Sequence, residues 1–334
     1  MICFTNMIVN NCKLIFLHIL HKKTLNLPST MINVNITNET NKLSAVIVGI
    51  AYDFGGVPSL DACYDPKSKE HVKKGSFPIE KDCILAIDSL VEIFKKYGVT
   101  VYHPENIIGL NQIFSRDIAF VIEDKLVIPN IIKDRSDEIV AINKVLCQID
   151  DLDKIRMPLE ARAEGGDVMP CNEYVFVGYS EDKDFQRYKV ARTNRCGLDF
   201  LVKSFPKKKI KGLELKKSDN NARKNSLHLD CCFQPIGNNM AILYKNGFKN
   251  ESDVDFLIDY FGKNNIIEIN ENEMYNMNSN VFSISEKVIV SEKGFVRLNA
   301  KLRERGFVVE EVMYSEIAKM SGLFRCSTLP LIRK

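Results

Sequence analysis

The segment RCSTLPLI (residues 325–332) has the pattern of a short buried strand, but no helix and no partner strand follow it in the chain. Its apolar and β-branched residues are typical of a strand that opens a hairpin. The strand-like stretch LSAVIVGI (43–50), near the other end, has no opening strand of its own. We therefore predict that these two distant segments pair and form one structural unit.

Four further stretches open in the same way, each with a polar cluster at its head, a short turn and a second apolar strand. They are IFSRDIAFVI (113–122), EGGDVMP (164–170), LHLDCCFQPI (227–236) and SNVFSI (279–284). The five units contain helical periodicity over 80–97, 136–149, 195–204, 252–262 and 295–306. A repeat of roughly fifty residues indicates supersecondary units that share a core. We predict an α/β fold, a five-bladed α/β propeller of ββαβ units in a pseudo-fivefold ring, with an ordinary α/β sandwich as the alternative.

The composition is that of a soluble globular protein. The chain is 45% hydrophobic and 27% charged with a formal net charge of +3, which gives no reason to expect nucleic acid or a membrane as a partner. Its ten cysteines include no CxxC pair and no His/Cys metal spacing. This pattern favours reduced thiols in a cytoplasmic protein. We expect no metal and no cofactor, and the sequence leaves open whether the chain forms a homo-oligomer.

The polar clusters would meet at the centre of a ring, because the first strand of every unit lies near the axis. His228 and Asp230 are two residues apart and would share one face of a strand. In EGGD the paired glycines would let the backbone approach closely and bring Glu164 and Asp167 to the centre. Asp117 would reach the same place from FSRD.

Carboxylates that crowd one partly dry pocket need a cation to neutralise them. A guanidinium fits this need, because carboxylates around its edge satisfy its planar fork of donors. The acidic candidates are Asp117, Glu164, Asp167 and Asp230. Cys326 would attack the central carbon as a thiolate, which a cationic substrate favours. His228 would protonate the departing nitrogen and later deprotonate the second attacker.

Each of these residues also has a purely structural explanation when it is taken alone. A cysteine in a strand is more often a small buried hydrophobe, and a lone histidine is more often a satisfied core residue. Asp117 could simply pair with its neighbour Arg116. The rival thiols, which lie beyond the heads of their units, are Cys171, Cys231 and Cys232. The joint placement of thiol, imidazole and carboxylates favours a catalytic site.

Residues 1–36 differ from the rest of the chain. The apolar stretch LIFLHIL (14–20) is too short for a transmembrane span, and no small-residue cleavage site follows it. A stretch more typical of a protein start begins at Met31. We expect 1–36 to be an N-terminal extension outside the fold, and 37–334 to be a single catalytic domain.

In their order, the motifs FSRD, EGGDV, HLD and RCSTLPLIRK resemble those of the guanidino-group-modifying superfamily, whose fold is the pentein, a five-bladed α/β propeller. The resemblance covers about residues 43–334. It implies that Cys326 is the nucleophile and that His228 is the general acid and base, assisted by Glu164. It also implies that Asp117 and Asp230 hold the guanidinium.

Two further segments carry a resemblance to particular branches of that superfamily. ARTN (191–194) is similar to the segment that binds the substrate's α-carboxylate in dimethylarginine-hydrolysing members. This implies such a role for Arg192, with Arg325 as a second candidate. YNMNSNVF (275–282) is similar to the amidinotransferase segment that contains an active-site asparagine, here Asn278 or Asn280.

These features predict a cysteine-dependent hydrolase similar to arginine deiminase, which acts on the guanidino group of L-arginine or a close analogue through a covalent cysteine adduct. The expected partner is a small guanidino substrate. HLD favours an unsubstituted guanidinium, because dimethylarginine hydrolases typically lack an aspartate there. The alternatives are an amidinotransferase that passes the amidino group to glycine or another amine, an arginine dihydrolase, a dimethylarginine hydrolase, and a non-catalytic arginine-binding protein.

Overall fold

The computed structural model describes residues 31–334, which contain fifteen strands in five three-stranded sheets. The strands are β1 (Leu43–Val48), β2 (Thr100–Tyr102), β3 (Phe120–Ile122), β4 (Lys125–Ile128), β5 (Lys154–Arg156), β6 (Val168–Cys171), β7 (Tyr174–Tyr179), β8 (Lys209–Glu214), β9 (Phe233–Ile236), β10 (Met240–Leu243), β11 (Ile266–Glu268), β12 (Phe282–Ser285), β13 (Val288–Glu292), β14 (Val308–Val312) and β15 (Thr328–Arg333). In every sheet an antiparallel pair of strands is joined by a parallel third strand. The predicted five-unit α/β architecture of the propeller type is confirmed.

The first unit is built from both ends of the described chain. Strand β15 pairs antiparallel with β1, from Leu43 opposite Arg333 to Val48 opposite Thr328, and β2 adds to the other edge of β1 in parallel. The other sheets are each formed by three successive strands, β3 to β5, β6 to β8, β9 to β11, and β12 to β14. Pairing between β15 and β1 brings the residues just before β15 to the heads of the other opening strands.

Tight hairpin turns set the register of the opening strands. The turns after β3 and β6 begin with Glu123 and Asn172, whose φ angles are 53° and 54°. The turn after β9 contains Gly237 and Asn239, at 56° and 64°. Positive φ angles match the twist of two antiparallel strands, and asparagine and glycine adopt them at low cost.

The helices are Pro66–Lys73, Glu80–Lys96, Asn143–Leu146, Asp182–Arg187, Arg195–Ser204, Glu251–Phe261, Glu271–Tyr275, Val296–Glu304 and Ser315–Ala318. Four of the five predicted helices are therefore present with nearly the expected bounds. The prediction over 136–149 is wrong for most of its length, because a 3₁₀ helix, Lys133–Ile142, precedes the short α-helix. Side chains at i and i+3 are aligned in a 3₁₀ helix, and this places Arg135 and Glu138 side by side, both buried.

The N-terminal segment enters the fold earlier than the sequence suggested. Ile32, Val34 and Ile36 are buried in an apolar cluster with residues of β1, β3 and β15. Asn35 forms a bridge with Ile332, and Ile36 forms one with Glu123. The segment 32–36 thus belongs to the domain, because burial of its three apolar side chains stabilises the fold. The remainder of the expected extension, 1–30, lies outside the described residues.

The apolar core runs through the units rather than within any one of them. The largest cluster of buried residues contains Phe94, Phe176, Phe233 and Phe282, which come from four different units. No helix among residues 31–334 is both long enough and apolar enough to cross a membrane.

Candidate active site

One cavity of about 270 Å³ brings together side chains from distant parts of the chain. Asp117, Arg192, His228 and Cys326 all line it, so the structure gathers four of the predicted site residues around a single space. Much of the remaining lining comes from the segments 54–65, 109–114 and 320–322. Glu164, Asp167 and Asp230 are fully buried behind this lining.

The polar clusters form tight turns that precede the opening strands. The amide of Asp167 donates to the carbonyl of Glu164 (2.9 Å), that of Cys231 to His228 (3.1 Å), and that of Thr328 to Arg325 (3.1 Å). The expectation that His228 and Asp230 share one strand face is therefore wrong, since β9 begins only at Phe233. Because these residues lie on a turn, their side chains have different partners.

The two glycines of EGGD are required by close approach, as predicted. A Cβ on Gly166 would lie 2.6 Å from Nδ1 of His228, and a Cβ on Gly165 would lie 2.0 Å from the carbonyl oxygen of Arg116. No larger residue fits at either position without displacing its neighbour. The backbone of this turn is therefore packed directly against the histidine.

His228 is held between carboxylates. Its Nε2 lies 2.8 Å from Oε2 of Glu164, and its Nδ1 lies 3.6 Å from Oδ1 of Asp117. Burial alone would lower the pKa of His228, but the nearby carboxylates of Asp117 and Glu164 outweigh it and raise the pKa to about 9. The imidazole is thus protonated at neutral pH and is suited to donate a proton.

Glu164 is stabilised as a carboxylate. Burial would raise its pKa, but Arg192, the hydrogen bond with His228, and Arg135 together hold the pKa well below its usual range. The Nη1 of Arg192 lies 3.2 Å from Oε2 of Glu164. The glutamate therefore remains ionised and orients the imidazolium through a charge-assisted bond.

Asp117 has an arginine partner, although a different one from that considered in the sequence. The Nη1 of Arg135 donates to Oδ2 of Asp117 (2.7 Å), and the Nε and Nη2 of Arg135 donate to the two oxygens of Glu138 (2.8 and 2.7 Å). Sequence reasoning missed both Arg135 and Glu138, which line the same cavity. The only sequence signal was their spacing of i and i+3, which is common on exposed helices.

The thiol of Cys326 lies between an amide and a carboxylate. The Nδ2 of Asn280 donates to Sγ (3.2 Å), and Sγ lies 3.5 Å from Oδ2 of Asp230. The Oδ1 of Asn280 also accepts from the backbone amide of Cys326 (3.2 Å). Of the two asparagines considered in the sequence, Asn280 touches the thiol, whereas Asn278 lines a different cavity. Burial, Asp230 and Asp117 hold the pKa of Cys326 well above its ordinary value.

Asp230 does not line the cavity, because its side chain turns towards Arg325. The Nη1 of Arg325 donates to Oδ2 of Asp230 (3.0 Å). On another edge of the guanidinium, Nη2 and Nε donate to the two oxygens of Glu39 (3.1 and 3.2 Å). Arg325 does not line the cavity and all its donors are already used, so it is not available to a substrate's carboxylate. The suggestion that Arg325 is a second carboxylate-binding residue is therefore wrong.

Asp167 and Arg192 differ in whether they line the cavity. Asp167 accepts from the hydroxyl of Thr193 (2.7 Å) and from the amide of Leu229 (2.9 Å), so its oxygens support the turn that carries His228. It does not line the cavity, and it has no direct path to a ligand there. Arg192 lines the cavity, and its buried Nε has no hydrogen-bond partner within the described chain.

The cavity contains a second thiol. Cys63 also lines it, and its Sγ donates to the carbonyl of Ser59. The three rival thiols considered in the sequence, Cys171, Cys231 and Cys232, do not line it. A larger cavity of about 630 Å³, beside Lys67 and Tyr275, contains none of the predicted catalytic residues, so size alone does not identify the site.

Asp117, Glu164 and His228 have donor atoms within 4.8 Å of one another, which is close enough for a metal ion. Arg135 and Arg192 already provide positive charge to these carboxylates, at 2.7 and 3.2 Å. A divalent ion would compete with two guanidinium groups and with a histidine that is itself protonated. The donor set therefore fits an organic cation better than a resident metal.

Comparison with known proteins identifies relatives over most of the chain. A sequence model of the family N,N dimethylarginine dimethylhydrolase, eukaryotic, matches residues 64–333. The uncharacterized protein YkgA of Bacillus subtilis (strain 168) is 31% identical over 245 residues, which are 73% of this chain and 78% of YkgA.

Solved structures with the same fold include enzymes with different reactions. The N-terminal domain of ArgZ, an arginine dihydrolase from the ornithine–ammonia cycle in cyanobacteria, has a TM-score of 0.72 at 17% identity and covers 88% of this chain and 98% of its own. SxtG, an amidinotransferase of the saxitoxin pathway from Microseira wollei, has a TM-score of 0.68 at 17% identity, over 90% of this chain and 98% of its own. At these identities the likeness extends to the fold, but not to the specific reaction.

Proposed function

Because the chain belongs to the family of eukaryotic N,N-dimethylarginine dimethylhydrolases, within the pentein superfamily of guanidino-modifying enzymes, we propose that it hydrolyses the guanidino group of L-arginine or a close analogue. The reaction proceeds through a covalent adduct on Cys326. One observation carries this proposal: a thiol, an imidazole and a carboxylate from three distant segments line the same small cavity.

The cavity offers negative charge where a guanidinium would lie. Asp117 and Glu138 both line it, and they share the single guanidinium of Arg135. Two carboxylates with one arginine leave acceptor capacity for a second planar cation. Arg192, with its unpartnered Nε, is suited to the substrate's α-carboxylate at the other end.

In the first step, the thiolate of Cys326 attacks the central guanidinium carbon. The resulting tetrahedral intermediate collapses as one nitrogen takes the proton of His228 and leaves as ammonia. This leaves an amidino group joined to the sulfur and a neutral imidazole. Because burial and the carboxylates disfavour the thiolate in the free enzyme, the positive charge of the bound substrate promotes its formation, and the thiol proton passes to solvent.

In the second step, a water molecule attacks the same carbon and gives its proton to the neutral imidazole of His228. The C–S bond breaks and its electron pair returns to the sulfur, which also takes the remaining hydroxyl proton of the intermediate. The product is a urea, citrulline in the case of arginine. The imidazole is again protonated beside Glu164, so the enzyme is ready for another cycle.

We take water as the second nucleophile, and the small site, about 270 Å³, is suited to one small guanidino substrate. Because an amine acceptor would enter only after the first product has left the covalent adduct, product analysis separates hydrolysis from transfer of the amidino group.

The test is product analysis with the purified full chain. It is incubated with L-arginine alone, with L-arginine and glycine, and with N,N-dimethylarginine, and the products are identified by mass spectrometry. We expect citrulline and ammonia from arginine alone. Ornithine and guanidinoacetate, formed only with glycine, would indicate an amidinotransferase instead.

Two other product patterns would also redirect the proposal. Ornithine with ammonia and no acceptor would indicate a dihydrolase. Citrulline and dimethylamine from dimethylarginine, with arginine unchanged, would indicate a dimethylarginine hydrolase. If no substrate is consumed although arginine binds, the chain is a binding protein and the hydrolase proposal fails.

A further inference from the structure

A continuous chain of charged contacts runs from the N-terminal segment to the nucleophile. Both oxygens of Glu39 accept from Arg325 (3.1 and 3.2 Å), Arg325 donates to Oδ2 of Asp230 (3.0 Å), and that same oxygen lies 3.5 Å from Sγ of Cys326. All four residues are buried. The remaining donors of Arg325 are satisfied by the carbonyls of Gly165, Gly166 and Val168.

Glu39 enters this chain from the side of the fold opposite the cavity. Its segment bridges to Glu123 through Ile36 and to Cys171 through Asn38, at the hairpin turns that lie at the far ends of β3 and β6. Neither Glu39 nor Arg325 lines the cavity. The family match begins at residue 64, so Glu39 lies outside it.

Charged and polar groups surround both ends of this series of contacts, Glu39 and Cys326. Glu39 faces Arg325, Arg116 (3.8 Å) and the field of Arg333. Burial would raise the pKa of Glu39, but these arginines lower it to about 2, so the residue is ionised. The groups that face the thiol of Cys326 are Asp230, Asp117, Cys231, the Asn280 amide and the phenol of Tyr314.

We propose that Glu39 is a positioning residue for the nucleophile, because through Arg325 it sets how strongly the carboxylate of Asp230 opposes ionisation of the Cys326 thiol. The inference rests on the proposed role of Cys326. Arg325 divides one positive charge between two carboxylates, so Asp230 stays partly uncompensated beside the sulfur. The free enzyme therefore keeps its thiol protonated, and the thiol becomes reactive when a cation enters the cavity.

The sign of the effect follows from this division of charge. In Glu39→Gln the side-chain shape is kept, but Arg325 has Asp230 as its only remaining carboxylate partner. The positive charge then offsets Asp230 more completely, and the thiolate of Cys326 is opposed less. The thiol should ionise at a lower pH in the variant than in the natural protein.

The experiment measures alkylation of Cys326 by iodoacetamide as a function of pH, without substrate. Mass spectrometry follows the tryptic peptide 326–333, which separates this thiol from the other cysteines. At pH 7 we expect Glu39→Gln to be alkylated about tenfold faster, which corresponds to a shift of about one pH unit. Asn38→Ala is the control for the turn that carries Glu39, because it removes bonds to Thr40, Asn41 and Asn172 but no contact of Arg325.

A double variant tests the route. Asp230→Asn alone should accelerate alkylation more than Glu39→Gln does, and Glu39→Gln should change the rate less than about twofold in the Asp230→Asn background. If Glu39→Gln accelerated alkylation as much in the Asp230→Asn background as in the natural protein, its effect would not pass through Asp230. An unchanged alkylation rate in folded Glu39→Gln would overturn the proposal. If Glu39→Gln does not fold, Glu39→Asp replaces it, with an expected increase of about threefold, and a rate equal to that of the natural protein would again overturn the proposal.

Alkylation requires no substrate, so its result is independent of the product analysis. A protein that fails to consume arginine but shows the shift in Glu39→Gln would contradict the proposed function and leave the link from Glu39 to Cys326 standing. A protein that produces citrulline but shows no shift would do the reverse.

Discussion

Two regions of the molecule contain the same residue types, arginine and carboxylate, but use them for different purposes. At the cavity, Arg135 pairs with both Asp117 and Glu138, and the Nε of Arg192 has no partner in the described chain. In a second, fully buried region, here called the axis, Arg325 contacts Glu39, Asp230 and three carbonyls, so that every donor of its guanidinium is used.

The difference lies in what remains available. A buried arginine whose donors are all hydrogen-bonded within the protein joins segments of the fold. An arginine or carboxylate at the cavity that still has a free donor or acceptor can bind a ligand. Substitutions on the two sides should therefore have different signatures, with losses of turnover at the cavity and losses of stability at the axis.

The largest effect is expected at the nucleophile on the cavity side. Cys326→Ser should lower turnover of the guanidino substrate by more than about a thousandfold, because a serine hydroxyl is a much weaker nucleophile than a thiolate near neutral pH. Arginine binding, measured by calorimetry, should survive. Cys63→Ser is the control, since Cys63 lines the same cavity without touching the proposed catalytic residues. An equal loss in both variants would contradict the assignment of Cys326.

The axis should respond through stability. Arg325→Met leaves Glu39 and Asp230 buried without their shared cation, and we expect the free energy of unfolding to fall by about 3–5 kcal/mol in urea denaturation. Arg192→Met should lose less stability, because Glu164 keeps His228 as a partner, and should raise KM more than it lowers kcat. If the two variants exchanged these signatures, the division between axis and cavity would be wrong.

The charge of His228 should make stability depend on pH. Its pKa is raised from 6.5 to about 9 in the folded protein, so its contribution is fully present below about pH 6.5 and is lost as the pH rises through 9. The free energy of unfolding should fall over this window by on the order of 3 kcal/mol. His228→Asn should lack this portion of the pH dependence, and an identical slope in both proteins would show that the histidine is neutral.

The smallest and sharpest contrast lies in two adjacent glycines. Gly165→Ala pushes against the backbone of Arg116 on the axis side, and we expect it to destabilise the fold by about 1–3 kcal/mol. Gly166→Ala pushes instead against the ring of His228, and we expect kcat to fall about tenfold with a smaller change in melting temperature. Equal effects on stability and activity at both positions would remove the distinction.

Much of the architecture was predictable because it depends on local pattern. The alternation of strand and helix signals, together with the unpaired segments at 43–50 and 325–332, was sufficient to predict five units and the pairing of β15 with β1. The helix predicted over 136–149 was wrong, because buried contacts of Arg135 and Glu138 override helical periodicity there. Periodicity reports which side chains are apolar, but not which polar ones will find buried partners.

By itself, the sequence determined the repeated unit and the inventory of reactive groups, since both depend on residues that are close together in the chain. The tertiary structure alone decided which acid meets which base: Asp117 with Arg135 rather than the adjacent Arg116, and Asp230 with Arg325 rather than the open cavity. Arg325 and Glu39 are 286 residues apart, and only the pairing of the chain ends brings them together. Contacts of this kind depend on how all five units are placed relative to one another, and no local sequence pattern encodes them.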